Sequence, residues 1–96
     1  MICWVMYDIK NDKTRGKISK HCIQAGLNRV QYSVFLGKME PNQKDTLTLQ
    51  CQQLFNSETD SIYIFPMSKD ELKDTVLLGQ AFDKKMITHE VRALFI

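Results

Sequence analysis

The sequence has few cysteines and histidines, and their spacing excludes several kinds of site. It has three cysteines, and no two of them are spaced as C-x-x-C, so neither a disulfide framework nor a structural zinc site is indicated. The two histidines, His21 and His89, are far apart and share no ligand spacing with the cysteines. Cys3, Cys22 and Cys51 are therefore expected to be buried free thiols in a reducing cytoplasm.

Long apolar runs and glycine-rich loops are also missing. No run approaches the roughly 20 apolar residues of a membrane-spanning helix, so no membrane partner is expected. The N-terminal stretch lacks the basic segment and the small-residue cleavage site of a secretory signal. Glycine occurs four times and never as a phosphate-binding loop, which argues against a nucleotide-binding module of that type. The chain of 96 residues suits one domain with a modest core.

Positive charge is concentrated in the first third of the chain. Residues 1–38 carry seven Lys or Arg and two acidic residues, whereas residues 39–96 carry six basic and nine acidic residues. Lys13, Lys17 and Lys20 recur at spacings of four and three, which places them in one row on a helix. The ordinary interpretation is a solvated helix face, and the sharper one is a surface that contacts nucleic-acid phosphates.

Short apolar segments alternate with helical patterns along the chain, with no repeat and no linker between them. The strands are too short and too rich in branched and aromatic residues to be helices, and polar capping residues mark where helices begin. Strands are predicted over residues 2–9, 29–37, 60–67 and 75–79, a helix is predicted from Asn11 or Asp12 to the turn at Gly26, and further helices are predicted from Pro41 and from Ser68.

This order predicts an α+β fold, a ferredoxin-like βαββαβ sandwich with one antiparallel sheet and two helices on one face. Residues 1–79 are expected to form the core domain, and residues 80–96 a C-terminal tail that adds an edge strand. Three strands are apolar on both faces, but two helices can cover only one face. The other face is therefore predicted to be buried in a two-fold homodimer.

Asp8 stands out because it closes the first apolar strand, directly before a lysine-rich segment. A carboxylate in this position can stabilise the start of the following helix, can belong to a turn, or can bind a metal. The residues alone leave these alternatives open.

Several segments together resemble the CRISPR-associated protein two family, the small dimeric subunit of the spacer-acquisition machinery. They are "YDI" at the end of the first strand, "NDKTRGK", "GLNRVQYSVFLG" and "DSIYIFPM", and they cover residues 1 to about 79 in order. The resemblance implies a ferredoxin-like homodimer that packs sheet against sheet. It also implies that the C-terminal strand, here the "VRALFI" tail, can add to the sheet of the partner subunit. It also implies a protein that helps to acquire new spacers by binding double-stranded DNA and bridging two dimers of a CRISPR-associated integrase.

The resemblance further implies a metal-dependent endonuclease for single-stranded RNA or double-stranded DNA. Asp8 is then the catalytic residue and the Mg²⁺ ligand, paired with its copy across the two-fold axis, and Tyr7 and Phe35 belong to the dimer interface. One carboxylate and its copy are the minimum that Mg²⁺ accepts from a protein. The alternative is a toxin-type ferredoxin-like RNase unrelated to CRISPR. The basic residues expected to bind nucleic acid are Lys13, Arg15, Lys17, Lys20 and Arg29.

Overall fold

The computed structural model describes residues 1–79 and 81. No helix within these residues is long and apolar enough to cross a membrane. The elements, in chain order, are β1 (Ile2–Asp8), α1 (Asp12–Gln24), β2 (Asn28–Gln31), β3 (Val34–Lys38), α2 (Pro41–Leu54), β4 (Ser61–Met67) and α3 (Lys69–Asp74).

The four strands form one sheet in the order β2-β3-β1-β4, and every neighbouring pair is antiparallel. This is the βαββαβ arrangement of a ferredoxin-like fold, with α3 added after the last strand, so the predicted α+β class is confirmed. The strand β4 lies at the edge of the described sheet. Pro66, which lacks a backbone N–H, is tolerated there because an edge strand has one side without a ladder partner.

Two of the predicted strands are wrong. The segment 29–37 is a hairpin of β2 and β3, because the chain reverses at Tyr32 and Ser33. Apolar alternation continues through that turn, so the pattern resembles one long strand. A register shift between Arg29 and Gln31 bends β2 further. Residues 75–79 form no strand. The predicted tail strand lies outside the described residues, apart from residue 81.

The helix α1 begins and ends as its sequence predicts. The side chain of Asn11 accepts a hydrogen bond from the Thr14 amide at 3.0 Å and caps the first turn. After the last turn, Gly26 adopts a positive φ of 89°, which a glycine reaches without the steric cost of a side chain. A capping box also opens α3, where Ser68 and Glu71 bond to each other's backbone amides.

The main core lies between the sheet and the pair of helices α1 and α2. The odd-numbered residues of β1 point into it, because side chains alternate along a strand. We call this side of the sheet the helix-side face. The buried residues of this core are Cys3, Val5, Tyr7, Ile9, Ile18, Cys22, Leu27, Phe35, Met39, Leu47 and Cys51.

The opposite side of the sheet, here called the second face, carries the even-numbered residues of β1. Ile2, Trp4 and Leu36 are buried there together with Leu72 of α3, so this short helix covers part of the face. The expectation that this face has no cover within the chain is therefore wrong in part. Towards the edge strand, residues 1–79 and 81 leave the face partly uncovered, and Tyr63 is 62% exposed.

All three cysteines are free and buried, as predicted. Burial penalises the thiolate, and it raises the pKa of Cys22 to about 12 and that of Cys51 to about 11. The pKa of Cys3 is raised for the same reason. Thiols of this kind are poor nucleophiles and poor metal ligands at neutral pH, which leaves the carboxylates as the groups to consider for chemistry.

Candidate functional site

Asp8 is the last residue of β1, at the end of the sheet where it pairs with Ser61 of β4. Its place in the strand directs its side chain to the second face, which it shares with Trp4 and Met6. The side chain is 72% exposed. The cap of α1 is Asn11 and not Asp8, so capping, one of the roles left open by the sequence, is filled by another residue.

The nearest charge to Asp8 is the ammonium group of Lys10, which lies 3.5 Å from each carboxylate oxygen. Both side chains are exposed, so this ion pair is weak and screened by solvent. A cation that binds Asp8 therefore has to displace only a mobile lysine. This contact could not be predicted from the sequence, because neighbouring charges of opposite sign are common in surface loops.

Asp60 organises the loop beside Asp8, and sequence analysis missed it. Its carboxylate accepts hydrogen bonds from the backbone amides of Lys10 and Asn56, both at 3.0 Å, and from the Thr59 hydroxyl at 3.1 Å. These bonds tie the segment after β1 to the turn before β4. They also hold the pKa of Asp60 below its usual value, with the Asn56 amide as the largest cause. The polar turn before β4 was the available signal.

The Asp60→Asn variant is expected to lose the acid dependence that this carboxylate contributes to stability. Because its pKa is lowered in the folded state, the contribution is present above the unfolded pKa near 3.8 and is lost as the pH falls below it. Urea unfolding between pH 7 and pH 3 measures this. The wild-type chain should lose more stability over that range than the variant, and two parallel profiles would contradict the assignment.

A complete metal centre is absent from a single chain, as far as residues 1–79 and 81 show. No group of three or more His, Cys, Asp or Glu side chains among them is placed to hold an ion. Asp8 offers one exposed carboxylate, a hard oxygen ligand of the kind that Mg²⁺ prefers. The residues present therefore offer a magnesium ion one carboxylate per chain, and a second copy of the chain would supply another.

The basic residues that were expected to contact nucleic acid fall into two groups. Lys13, Lys17 and Lys20 are exposed along α1, and they form the predicted row. Arg15 and Arg29 are held in place instead. Arg15 donates a bond to the Ile9 carbonyl at 2.9 Å and pairs with Asp12, a residue of the first turn of α1.

Arg29 reaches from β2 to the helix α1. Its guanidinium group donates a hydrogen bond to the Ser19 hydroxyl and lies 5.1 Å from the centre of the Phe35 ring. A cation over an aromatic face is stabilised by the ring quadrupole. Arg15 and Arg29 are therefore oriented groups, whereas the lysine row is solvated.

Tyr7 and Phe35, which the family resemblance placed at the dimer interface, lie on the helix-side face. Their rings are 6% and 0% exposed and stack at a centroid distance of 6.2 Å. Burial raises the pKa of the Tyr7 hydroxyl, and the nearby Ser19 and Arg29 lower it in part. Both rings pack within the chain and offer almost no surface to a partner, so an interface is better sought on the second face.

Comparison with known proteins agrees with this geometry. Residues 1–75 match the family model described as CRISPR associated protein Cas2. The chain is 37% identical over 67 residues to a CRISPR-associated endoribonuclease Cas2 of Archaeoglobus fulgidus, covering 70% of this chain and 71% of that protein. It is 30% identical over 83 residues to another of Chloroflexus aurantiacus, covering 86% and 98%.

Solved structures give the same result for the fold. The crystal structure of Streptococcus pyogenes Cas2 superposes with a TM-score of 0.71 at 27% identity, covering 82% of this chain and 100% of that one. A hypothetical protein from Thermus thermophilus also superposes with a TM-score of 0.71, at 26% identity, covering 83% and 92%. The family match and the identities leave no basis for a toxin-type RNase outside CRISPR, and the chain belongs to the CRISPR-associated protein Cas2 family.

Proposed function

We propose that this protein works in CRISPR adaptation as a homodimer that binds double-stranded DNA, and that its two Asp8 carboxylates form a magnesium-dependent endonuclease site. The observation that carries the proposal is the position of Asp8, which is exposed and shares a sheet face with apolar side chains that residues 1–79 and 81 leave partly uncovered. Two relatives are named endoribonucleases, which supports phosphodiester hydrolysis as the reaction. Buried free thiols favour the reducing cytoplasm as its compartment.

The apolar surface that supports a dimer lies beside Asp8 on the second face. Met6, Tyr63 and Phe65 come from the adjacent strands β1 and β4 and are paired or stacked across them, and Tyr63 is 62% exposed. Val76 and Leu78, in the segment after α3, are exposed as well. Exposed apolar side chains that share one face, as Tyr63 and Phe65 do, mark an interaction surface. A two-fold axis through it would bring the ends of two β1 strands, and hence two copies of Asp8, to one interface.

The chemistry rests on charge and position. A bound Mg²⁺ lowers the pKa of a water molecule and neutralises charge that develops on the phosphate. The Asp8 carboxylates would hold this ion, and Asp60 would keep the adjoining loop in place through the Lys10 amide. Without metal, the two facing carboxylates repel each other or share a proton. The same Asp8 pair therefore weakens the empty dimer and orders the loaded one.

The exposed lysine row of α1 supports the binding of double-stranded DNA. Lys13, Lys17 and Lys20 present three ammonium groups on one solvated surface, which suits phosphates and carries no sequence information. In a dimer this surface occurs twice, so one duplex can contact both subunits while two dimers of a CRISPR-associated integrase dock at the ends. Sedimentation with a purified integrase, with and without duplex DNA, tests this bridging role.

The Tyr63→Asp variant tests the dimeric endonuclease. A charge on the second face should dissociate the dimer, because a buried unpaired carboxylate is costly, and cleavage should be lost as the Asp8 pair separates. Light scattering reports the molar mass, and labelled single-stranded RNA and duplex DNA with Mg²⁺ report cleavage. Tyr63→Phe is the matched control and should keep both properties. A monomer that cleaves at the wild-type rate would refute the proposal.

A further inference from the structure

The short segment between β1 and α1 is anchored along its backbone, although it lies at the surface. The Lys10 amide donates a hydrogen bond to the Asp60 carboxylate at 3.0 Å. Before it in the chain, Ile9 is 3% exposed and its carbonyl accepts a bond from Arg15 at 2.9 Å. After it, Asn11 caps α1. The backbone of Lys10 therefore has a set position from which its side chain extends.

The side chain of Lys10 is held by charge and not by packing. It is 65% exposed, and its ammonium nitrogen lies 3.5 Å from each oxygen of the Asp8 carboxylate. Mg²⁺ takes oxygen ligands at about 2.0–2.1 Å, so an ion on this carboxylate would come close to the ammonium group. Two positive charges at such a short range repel each other. The ammonium group therefore has to leave as the ion binds.

The neighbouring carboxylate of Asp60 is not available to replace Asp8 as the partner of this ammonium group. Its oxygens accept hydrogen bonds from the Asn56 amide and the Thr59 hydroxyl in addition to the Lys10 amide. The charge of Lys10 is the weakest of the causes that hold the pKa of Asp60 below its usual value. Each chain thus presents one exposed carboxylate, that of Asp8, together with one exposed cation.

In the proposed dimer this pair of charges occurs twice. Two Asp8 carboxylates without counterions would repel each other across the two-fold axis. The two Lys10 ammonium groups bring the formal charge of these four side chains to zero. They reduce the repulsion without abolishing it, because solvent screens exposed ion pairs.

We propose that Lys10 is an exchangeable counterion of Asp8, which reduces the repulsion in the metal-free dimer and is displaced when Mg²⁺ binds. The inference rests on the proposed function, because it concerns how the same site is filled. Two effects of opposite sign follow. Lys10 supports the empty dimer, and by competing with the ion it raises the Mg²⁺ concentration at which the site becomes occupied.

The Lys10→Met variant tests both effects. Methionine keeps an unbranched apolar stem and the backbone bond to Asp60, and it removes the charge. Electron paramagnetic resonance with Mn²⁺ at low ionic strength should show an affinity roughly three- to ten-fold higher than that of the wild type, because one exposed ion pair is worth up to about five-fold and the dimer has two. In EDTA, light scattering should show a dimer that dissociates more readily. Both differences should shrink in about 0.5 M KCl, since salt screens exposed charges.

The matched control is Lys38→Met. Lys38 is exposed and pairs with Ile2, at the end of β1 opposite to Asp8. This variant loses the same charge from the same sheet, and it should keep the Mn²⁺ affinity and the dimer stability of the wild type. Lys10→Arg retains a cation at the site and should stay close to the wild type in both measurements.

The Asp8→Asn background separates exchange at the carboxylate from a general effect of charge. In that background Lys10→Met should change neither the residual Mn²⁺ binding nor the dimer in EDTA, because the group for which Lys10 competes is gone. An equal gain in affinity with and without Asp8 would overturn the inference, as would an unchanged Mn²⁺ affinity of Lys10→Met alone. If Asp8→Asn itself leaves Mn²⁺ binding unaltered, the proposed metal site fails and the inference fails with it, so the two failures are distinguishable.

Discussion

The Asp8→Asn variant is expected to lose magnesium-dependent cleavage by a factor on the order of 100 or more, with its fold unchanged. The side chain is 72% exposed, and it forms a long ion pair of 3.5 Å with the Lys10 ammonium group. Replacing the carboxylate with an amide of the same shape therefore removes charge and little else. What disappears is the hard, negatively charged ligand that Mg²⁺ requires.

The measurement needs a readout besides activity. Mn²⁺ titration followed by electron paramagnetic resonance should show weaker ion binding in the variant, and light scattering should show a dimer of equal or greater stability without metal, because two facing carboxylates no longer repel. Asp45→Asn is the matched control, since Asp45 is an exposed carboxylate on α2 and lies outside the proposed site. It should cleave and bind Mn²⁺ like the wild type.

Two outcomes would change the conclusion. Equal cleavage by the wild type and the Asp8→Asn variant would show that the activity comes from other residues or from a contaminant. Cleavage by neither protein would leave the role in adaptation as a non-catalytic one, in which the dimer binds DNA and the integrase. In that case the bridging experiment with the integrase becomes the deciding measurement.

The Phe35→Ala variant is expected to lose about 3–5 kcal/mol of unfolding free energy. Its ring is 0% exposed, stacks on Tyr7 and lies under the guanidinium of Arg29. Removing it leaves a cavity in the main core and also removes a cation–π contact. For a domain whose total stability is about 5–15 kcal/mol, this loss leaves a marginal protein.

Urea unfolding at several protein concentrations separates a core role from an interface role. A core defect lowers stability equally at every concentration, whereas an interface defect changes the concentration dependence, since dimer stability follows mass action. Tyr63→Ala is the comparison, because Tyr63 is largely exposed on the second face. The Tyr63→Ala variant should have a lower molar mass in solution, and the unfolding free energy of its monomer should be unchanged. A Phe35→Ala chain that keeps its monomer stability and only dissociates would place Phe35 at the interface after all.

Asp8 and Phe35 also show how much of the structure could be predicted from the sequence. The alternation along β1 predicts that Tyr7 and Asp8 point to opposite faces, and the structure confirms two apolar faces. Alternation does not say which face the helices cover, because β1 is equally apolar on both. That choice depends on how α1 and α2 pack, which is a long-range property, so Tyr7 and Phe35 could not be assigned to the core from the pattern.

Helix caps and turns that depend on neighbouring residues were predicted correctly from the sequence. The Asn11 cap, the Gly26 turn and the Ser68 capping box each depend on residues within a few positions, and all three are present. The turn at Tyr32 and Ser33 was missed because it contains no glycine, proline, asparagine or aspartate, and serine is a weaker turn signal. Its position is fixed partly by a distant contact, the bond from the Tyr7 amide to the Ser33 carbonyl at 3.1 Å.

The residues of the candidate site also fall into those that local sequence patterns predict and those that depend on contacts between distant parts of the chain. The charge count found the lysine row of α1, since the periodicity of a helix places those residues together. It did not find Asp60, which reaches the site only because the turn before β4 meets the segment after β1 at one end of the sheet. It also could not separate Arg15 and Arg29 from the solvated lysines, because that difference lies in their partners and not in their charge.

The packing of Trp4 gives the second face an optical label. Trp4 is the single tryptophan of the chain, and it is 7% exposed. Its indole N–H points at the Met67 sulfur at 3.0 Å, and its ring stacks on the ring of Phe65. Indole emission depends on the polarity and the quenching groups around the ring, and here those are set by α3, β4 and whatever covers Phe65. The tryptophan emission therefore reports on this face, and association of subunits through it can be observed in unlabelled protein.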